Sequence, residues 1–143
     1  MKDKDFKFEK IIFHASTCFG TCPEINLEIN ADEKIKIKSL FYKAELLKDD
    51  VRSGSFVGQL DNETFEELKK LIIQSRLTTH NINDKELCCD GAIKTIITYH
   101  NGKRNYVKTM FEPMILGKLI HFLYEIDTKV NLEKTNMKFK FEQ

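Results

Sequence analysis

Cys18-Phe19-Gly20-Thr21-Cys22-Pro23 packs two thiols, a glycine and a proline into one corner ahead of a cleanly alternating strand. Three intervening residues, one of them glycine, can fold back far enough to bring two Cβ atoms close. The pair can then serve as a disulfide, as half of a metal site, or as two small buried hydrophobes. Packing by reduced thiols is the leading reading for a cytoplasmic chain, because the C-x-x-C spacing that recurs in zinc and thioredoxin-like sites is absent. Gly20 is expected to supply a position with positive φ, and Pro23 to start the strand where a missing donor is tolerated.

A second thiol pair, Cys88-Cys89, stands before Asp90-Gly91. The four cysteines match the number a structural zinc needs, but adjacent ligands chelate poorly, so no metal and no other cofactor is expected. Asp90 reads as a turn residue bonding its own backbone before a strand. His14, His80, His100 and His121 are scattered, and no two share metal-ligand or triad spacing. His100, beside an Asn-Gly turn, is expected in solvent, and His121 at the flank of a helix.

The remaining charged clusters have plain explanations. Asp61, Glu63, Glu66 and Glu67 suit the dipole-compensating start of a helix. Lys34, Lys36 and Lys38 with Phe41 and Tyr42 imitate a nucleic-acid-binding strand, but the interleaved Ile35 and Ile37 are needed for a core. No nucleophile-elbow, zinc-protease, Walker or dinucleotide-binding pattern occurs, which weighs against the common enzyme classes.

The elements that must position these residues follow from periodicity. Residues 6–13 are apolar and β-prone but change phase midway, predicting a strand that is bulged or covered on both faces. Ile25, Leu27 and Ile29, then Ile35 and Ile37, alternate with polar residues around a turn at 31–34, predicting a hairpin with one wet face. Residues 43–55 lack a period and read as a loop, and Phe56-Val57-Gly58 as a short strand. Asp61 then caps a helix carrying Phe65, Leu68, Leu71 and Ile72, which should end between Ser75 and Leu77. Asn101-Gly102 between residues 92–100 and 103–110 is a strong hairpin signal whose register sets Ile97 opposite Tyr106 and Ile96 opposite Val107. Pro113 is expected as the first residue of a second helix bearing Leu116, Leu119, Ile120, Leu123, Ile126 and Val130. Residues 137–143 alternate like a last strand at a sheet edge.

The sum is an α+β two-layer sandwich: one mostly antiparallel sheet with two helices on a single face, a hairpin-plus-helix pattern occurring twice. At 143 residues the chain should form one domain, core 6–130 plus the terminal strand, burying roughly 70% of its unfolded surface. With 23 basic against 22 acidic residues and a net charge of +1, no bulk field draws in nucleic acid or anionic lipid. The charged start Met1-Lys2-Asp3-Lys4-Asp5 is unlike a signal peptide, so the chain as written reads as cytoplasmic, or exported if such a segment preceded it.

Through Cys18-Phe19-Gly20-Thr21-Cys22-Pro23 and the alternating strand to Ile29, the chain resembles an uncharacterised bacterial domain family with a Cys-Phe-Gly-x-Cys-Pro opening. The resemblance extends to about Asp127 through residues 54–58, a helix over 60–77, the Asp90 position before the strand 93–99, and a helix over 116–126. It implies a fold of this size and no established activity, so it assigns no catalytic residues. Adjacent Cys88-Cys89 is a local feature outside that pattern.

The expected function is therefore a non-enzymatic binding or protein-interaction domain, acting as a monomer or weak homodimer on a protein or small-molecule partner, with no nucleic acid and no membrane. The alternative is a thiol-based redox or metal site in which the sheet brings Cys88 or Cys89 to Cys18 and Cys22.

Overall fold

A computed structural model describes residues 5–18, 20–44, 47–79, 81–84 and 91–143. In chain order it contains Phe8–Ala15 (β1), Glu24–Asn30 (β2), Lys34–Leu40 (β3), Gly54–Gln59 (β4), Asn62–Gln74 (α1), Ile82–Asn83 (β5), Lys94–His100 (β6), Lys103–Thr109 (β7), Gly117–Glu125 (α2) and Leu132–Lys134 (β8). The strands make one sheet in the order β5-β7-β6-β1-β2-β3-β4-β8. Every pairing is antiparallel except the short β5–β7 contact.

The alternation of β2 and β3 sends Ile25, Leu27, Ile29, Ile35 and Ile37 to one face, where none is more than 2% exposed. They join Ile11, Phe13, Ile96 and Val107 from the neighbouring strands in one core with Phe65, Leu68 and Ile72 of α1 and Leu119, Ile120, Phe122 and Leu123 of α2. The α+β architecture expected from the sequence, with both helices against one sheet face, is the architecture observed. A loop ahead of β4 is fastened to the end of the α2 region by Arg52, whose Nε and Nη2 donate to Asp127 at 2.7 and 2.8 Å. The Arg52 guanidinium also lies 3.8 Å from the Phe41 ring centre.

Local signals set the boundaries. The Asp61 carboxylate accepts from Thr64 N at 2.7 Å and caps α1, whose C-cap is Ser75. Arg76 follows with φ +53, the left-handed residue that usually closes a helix as glycine. Asn101 (φ +48) and Gly102 (φ +72) form the expected tight turn, with Ile97 opposite Tyr106 and Ile96 opposite Val107. The phase change in the first strand is a register shift between Phe8 and Lys10.

Two expectations are corrected. Pro113 does not open an α-helix: at φ −56, ψ 145 it precedes a 3-10 turn over Met114–Leu116, and α2 begins at Gly117. Residues 137–143 are not a strand. The sheet edge beyond β4 is taken instead by β8, paired through Phe56–Lys134, Val57–Glu133 and Gly58–Leu132. The tail that follows crosses the sheet, because aromatic and acidic side chains find partners on several strands there, which edge pairing would not supply.

Candidate functional site

The sheet has a second face, turned away from the helices, and the registers arrange it as three cross-strand rows. The middle row runs Lys36, Glu28, Ile12, Ile97, Tyr106. On one side of it lie Lys38, Asn26, His14, Thr95 and Lys108, and on the other Lys34, Asn30, Lys10, Tyr99 and Arg104. Six basic side chains in these rows, Lys10, Lys34, Lys36, Lys38, Arg104 and Lys108, stand against Glu28 alone. The face is locally cationic although the chain is nearly neutral.

Glu28 is buried and sits at the centre of this charge. Lys36 Nζ approaches to 3.1 Å and Lys10 Nζ to 4.0 Å, and Asn30 Nδ2 donates at 3.0 Å. Burial pushes its carboxyl up, but the hydrogen bonds from Asn30 and Lys36 and the charges of Lys36 and Lys10 outweigh it, leaving the group below the ordinary carboxylate range.

Over these rows lies the C-terminal tail. The Phe141 ring meets His14 edge-on at 6.3 Å and Phe139 at 5.7 Å. Lys36 Nζ sits 5.8 Å from the Phe139 ring centre. His14 is held between Asn26 Oδ1 at 2.7 Å and the Glu142 carbonyl at 2.5 Å. Tyr99 donates its hydroxyl to the Glu142 carboxylate at 2.7 Å, and Arg104 reaches the same carboxylate with Nε and Nη2, each at 3.0 Å. Accepting that hydroxyl hydrogen bond, the Glu142 carboxylate holds the Tyr99 phenol in its neutral form and raises its pKa. Ile12 and Ile97 beneath are each 0% exposed although they face away from the helices. They stand in the rows that the tail crosses.

The cysteine corner lies at the end of β1. Cys18 and Cys22 have their sulfurs at bonding distance with Cα atoms 5.3 Å apart, so the expectation of reduced, unbonded thiols is corrected. The glycine between them relaxes the loop enough for the two side chains to meet. Gly20 has φ +144, where a side chain is strained, while an added Cβ would meet only Cys18 Sγ, at 3.8 Å. Pro23 directly precedes β2. Cys88, Cys89 and Asp90 lie outside the described residues, but Gly91 just after them leads into β6 at this same end of the sheet. There Ala15 pairs with Lys94, and Ser16 N and Oγ bond Ile93 at 2.9 and 2.8 Å. Nearby, Lys94 is buried, donating to the Met110 carbonyl at 2.7 Å and pairing with Glu112 at 2.9 Å. Burial first, and then the Glu112 charge, push the Tyr124 hydroxyl up to about 12.

The histidines divide differently from expectation. His100 is not in solvent but 2% exposed, bonding Asn105 Oδ1 at 2.8 Å and stacking on Phe6 at 5.6 Å. His121 is exposed on α2, and His80 lies outside the described residues. Among the described residues no group of three or more His, Cys, Asp or Glu could hold a metal ion, and no helix is long and apolar enough to cross a membrane. A groove of about 550 Å³ runs beside α1, lined by Phe6, Glu63, Glu66, Glu67, Lys69 and Lys70. It gathers neither the thiols nor a histidine.

Reading the residues for chemistry missed His14, Tyr99, Arg104 and Glu142 as one cluster. The Asn-Gly register does place Tyr99 opposite Arg104 on the outward face, but nothing local says that a carboxylate from residue 142 comes to rest between them.

No curated protein and no solved structure matches the chain. Residues 9–128 match the family described as Domain of unknown function (DUF6438), and the chain belongs to that family. The matched residues supply the outer face, and unmatched residues supply its cover.

Proposed function

We propose that this domain of unknown function is a non-enzymatic binding module whose protein-recognition surface is the outer face of the sheet between β3 and β7. One observation carries the reading: a peptide segment distant in sequence already rests there, its side chains and carbonyl received by His14, Tyr99, Arg104 and Lys36. The face offers what a short extended ligand needs. It has an apolar centre in Ile12 and Ile97, aromatic and imidazole edges, and cations that favour a carboxylate. Main-chain strand addition is not the mode, since the tail crosses the rows instead of lengthening the sheet.

The test is an array of nine-residue peptides screened against the isotopically labelled full chain by amide chemical-shift mapping. Binders should move the amides of Lys10, Asn26, Ile97, Tyr99 and Arg104 and leave α1 and α2 unmoved. Binders that map to the helices, or an array with none on either the wild-type chain or one whose Phe139, Phe141 and Glu142 have been replaced, refute the reading.

A second reading keeps the cysteine corner as a thiol redox site, favoured by the bonding distance of Cys18 and Cys22. Equilibration against glutathione or dithiothreitol buffers separates it: a potential above about −250 mV supports exchange, whereas one below about −300 mV marks a structural bridge.

A further inference from the structure

We infer that residues 139–142 are a built-in occupant of the outer face, and that in trans the face takes an extended peptide with two aromatic side chains two residues apart followed by a carboxylate. This rests on the binding-module reading and names its ligand chemistry and its regulation.

The seated segment defines the pattern. Phe139 and Phe141 alternate with Lys140, so their rings fall two residues apart. They contact Lys36 on β3 and His14 on β1. The next residue, Glu142, carries the anion that Tyr99 and Arg104 hold from β6 and β7. The order aromatic, spacer, aromatic, acid thus maps onto β3, β1, then β6 and β7, a polarity that fixes the direction in which a ligand must lie. The acid is the specific element, because the face around it is basic and the Arg104 contact uses both Nε and Nη2. The occupant is only partly sequestered: the Arg104 and Glu142 side chains remain 43% and 36% exposed. A cover held by a half-exposed ion pair and edge-on rings can leave without the helix-side core opening.

Tethering sets what a competitor must overcome. A segment joined by a few residues acts at an effective concentration on the order of 1 mM. A free peptide of the same sequence therefore cannot show an apparent Kd below roughly that value while the tail is intact. Releasing the tail restores the face's own affinity.

The experiment titrates a fluorescein-labelled peptide of residues 135–143 into full chains by anisotropy. The opened chain F139A/F141A/E142Q should bind at least tenfold tighter than wild type. Glu142→Gln alone, a half-exposed substitution that leaves the aromatic cover and the core in place, should bind at least threefold tighter. Adding Arg104→Ala to E142Q should abolish that gain, and a peptide with both phenylalanines replaced by alanine should bind at least tenfold more weakly. Should the triple variant not fold, the E142Q comparison decides alone. Equal affinity of wild type and E142Q, with outer-face amides shifting in both, overturns self-occupancy while leaving the binding-module reading standing. Peptide affinity that ignores the phenylalanines, or an oligouridylate that binds E142Q more tightly than the peptide, overturns the ligand chemistry. No shift at the face with any peptide, in wild type or variant, removes the module reading itself.

Discussion

Ile97 offers the sharpest test of the two-sided sheet. Its position in β6 turns it away from both helices, opposite Ile12 and Tyr106, yet it is 0% exposed. Ile97→Ala removes three carbons, a transfer loss of about 2.4 kcal/mol at 0.8 kcal/mol per buried methylene. The unrelaxed cavity adds to this, giving an expected total of about 2–5 kcal/mol. A residue on an uncovered sheet face would lose less than about 1 kcal/mol. The cost should also depend on the cover, so F139A/F141A in the same chain should reduce the Ile97→Ala penalty by about 1 kcal/mol or more. Urea denaturation of wild type, Ile97→Ala, F139A/F141A and the combined variant, with a common m-value, closes the cycle. Additivity within about 0.3 kcal/mol, or a loss at Ile97 below about 0.5 kcal/mol, refutes the claim that the tail buries this face.

On the helix side, Leu68→Ala should cost about 2–5 kcal/mol by the same assay, since Leu68 is 0% exposed within the core cluster. Arg76→Gly should raise stability by about 0.5–1 kcal/mol, because Arg76 closes α1 at φ +53 and glycine adopts that conformation freely; a measured loss would count against the cap geometry. The Tyr124 hydroxyl is raised to about 12, so its neutral form is the one the fold favours. That contribution is complete below the unfolded value near 10 and fades as pH rises toward 12. Tyr124→Phe should therefore gain on wild type by about 1 kcal/mol by pH 11 in alkaline denaturation, and parallel curves would refute it. Replacing Cys18 and Cys22 by serine should leave a folded chain that has lost at most about 2 kcal/mol, the chain-entropy value for so short a loop. Gly20→Val should cost about 1–3 kcal/mol from the strained φ, both read by thermal unfolding.

The sequence by itself determined the parts whose physics is local. Alternation in residues 25–29 and 35–37, the Asp61 cap and the Asn101-Gly102 turn each select a conformation from neighbours a few residues away, and together they select the sheet, its inner face and α1. Even the phase change near Phe8 marked the first strand as bulged or covered on both faces. What supplied that cover was decided only by the tertiary structure. Met137, Phe139 and Phe141 alternate in a way that suits either an edge strand or a strap, and period alone cannot separate them. The choice turned on partners distant in sequence, where His14, and beyond it Tyr99 and Arg104, met the backbone and carboxylate of Glu142. The state of Cys18 and Cys22 was likewise a matter of geometry, since a three-residue spacer permits a bond without requiring one. The outer face became legible as a site only once separate strands had aligned its basic residues around one apolar centre, because charge that nearly cancels along the chain need not cancel on a surface.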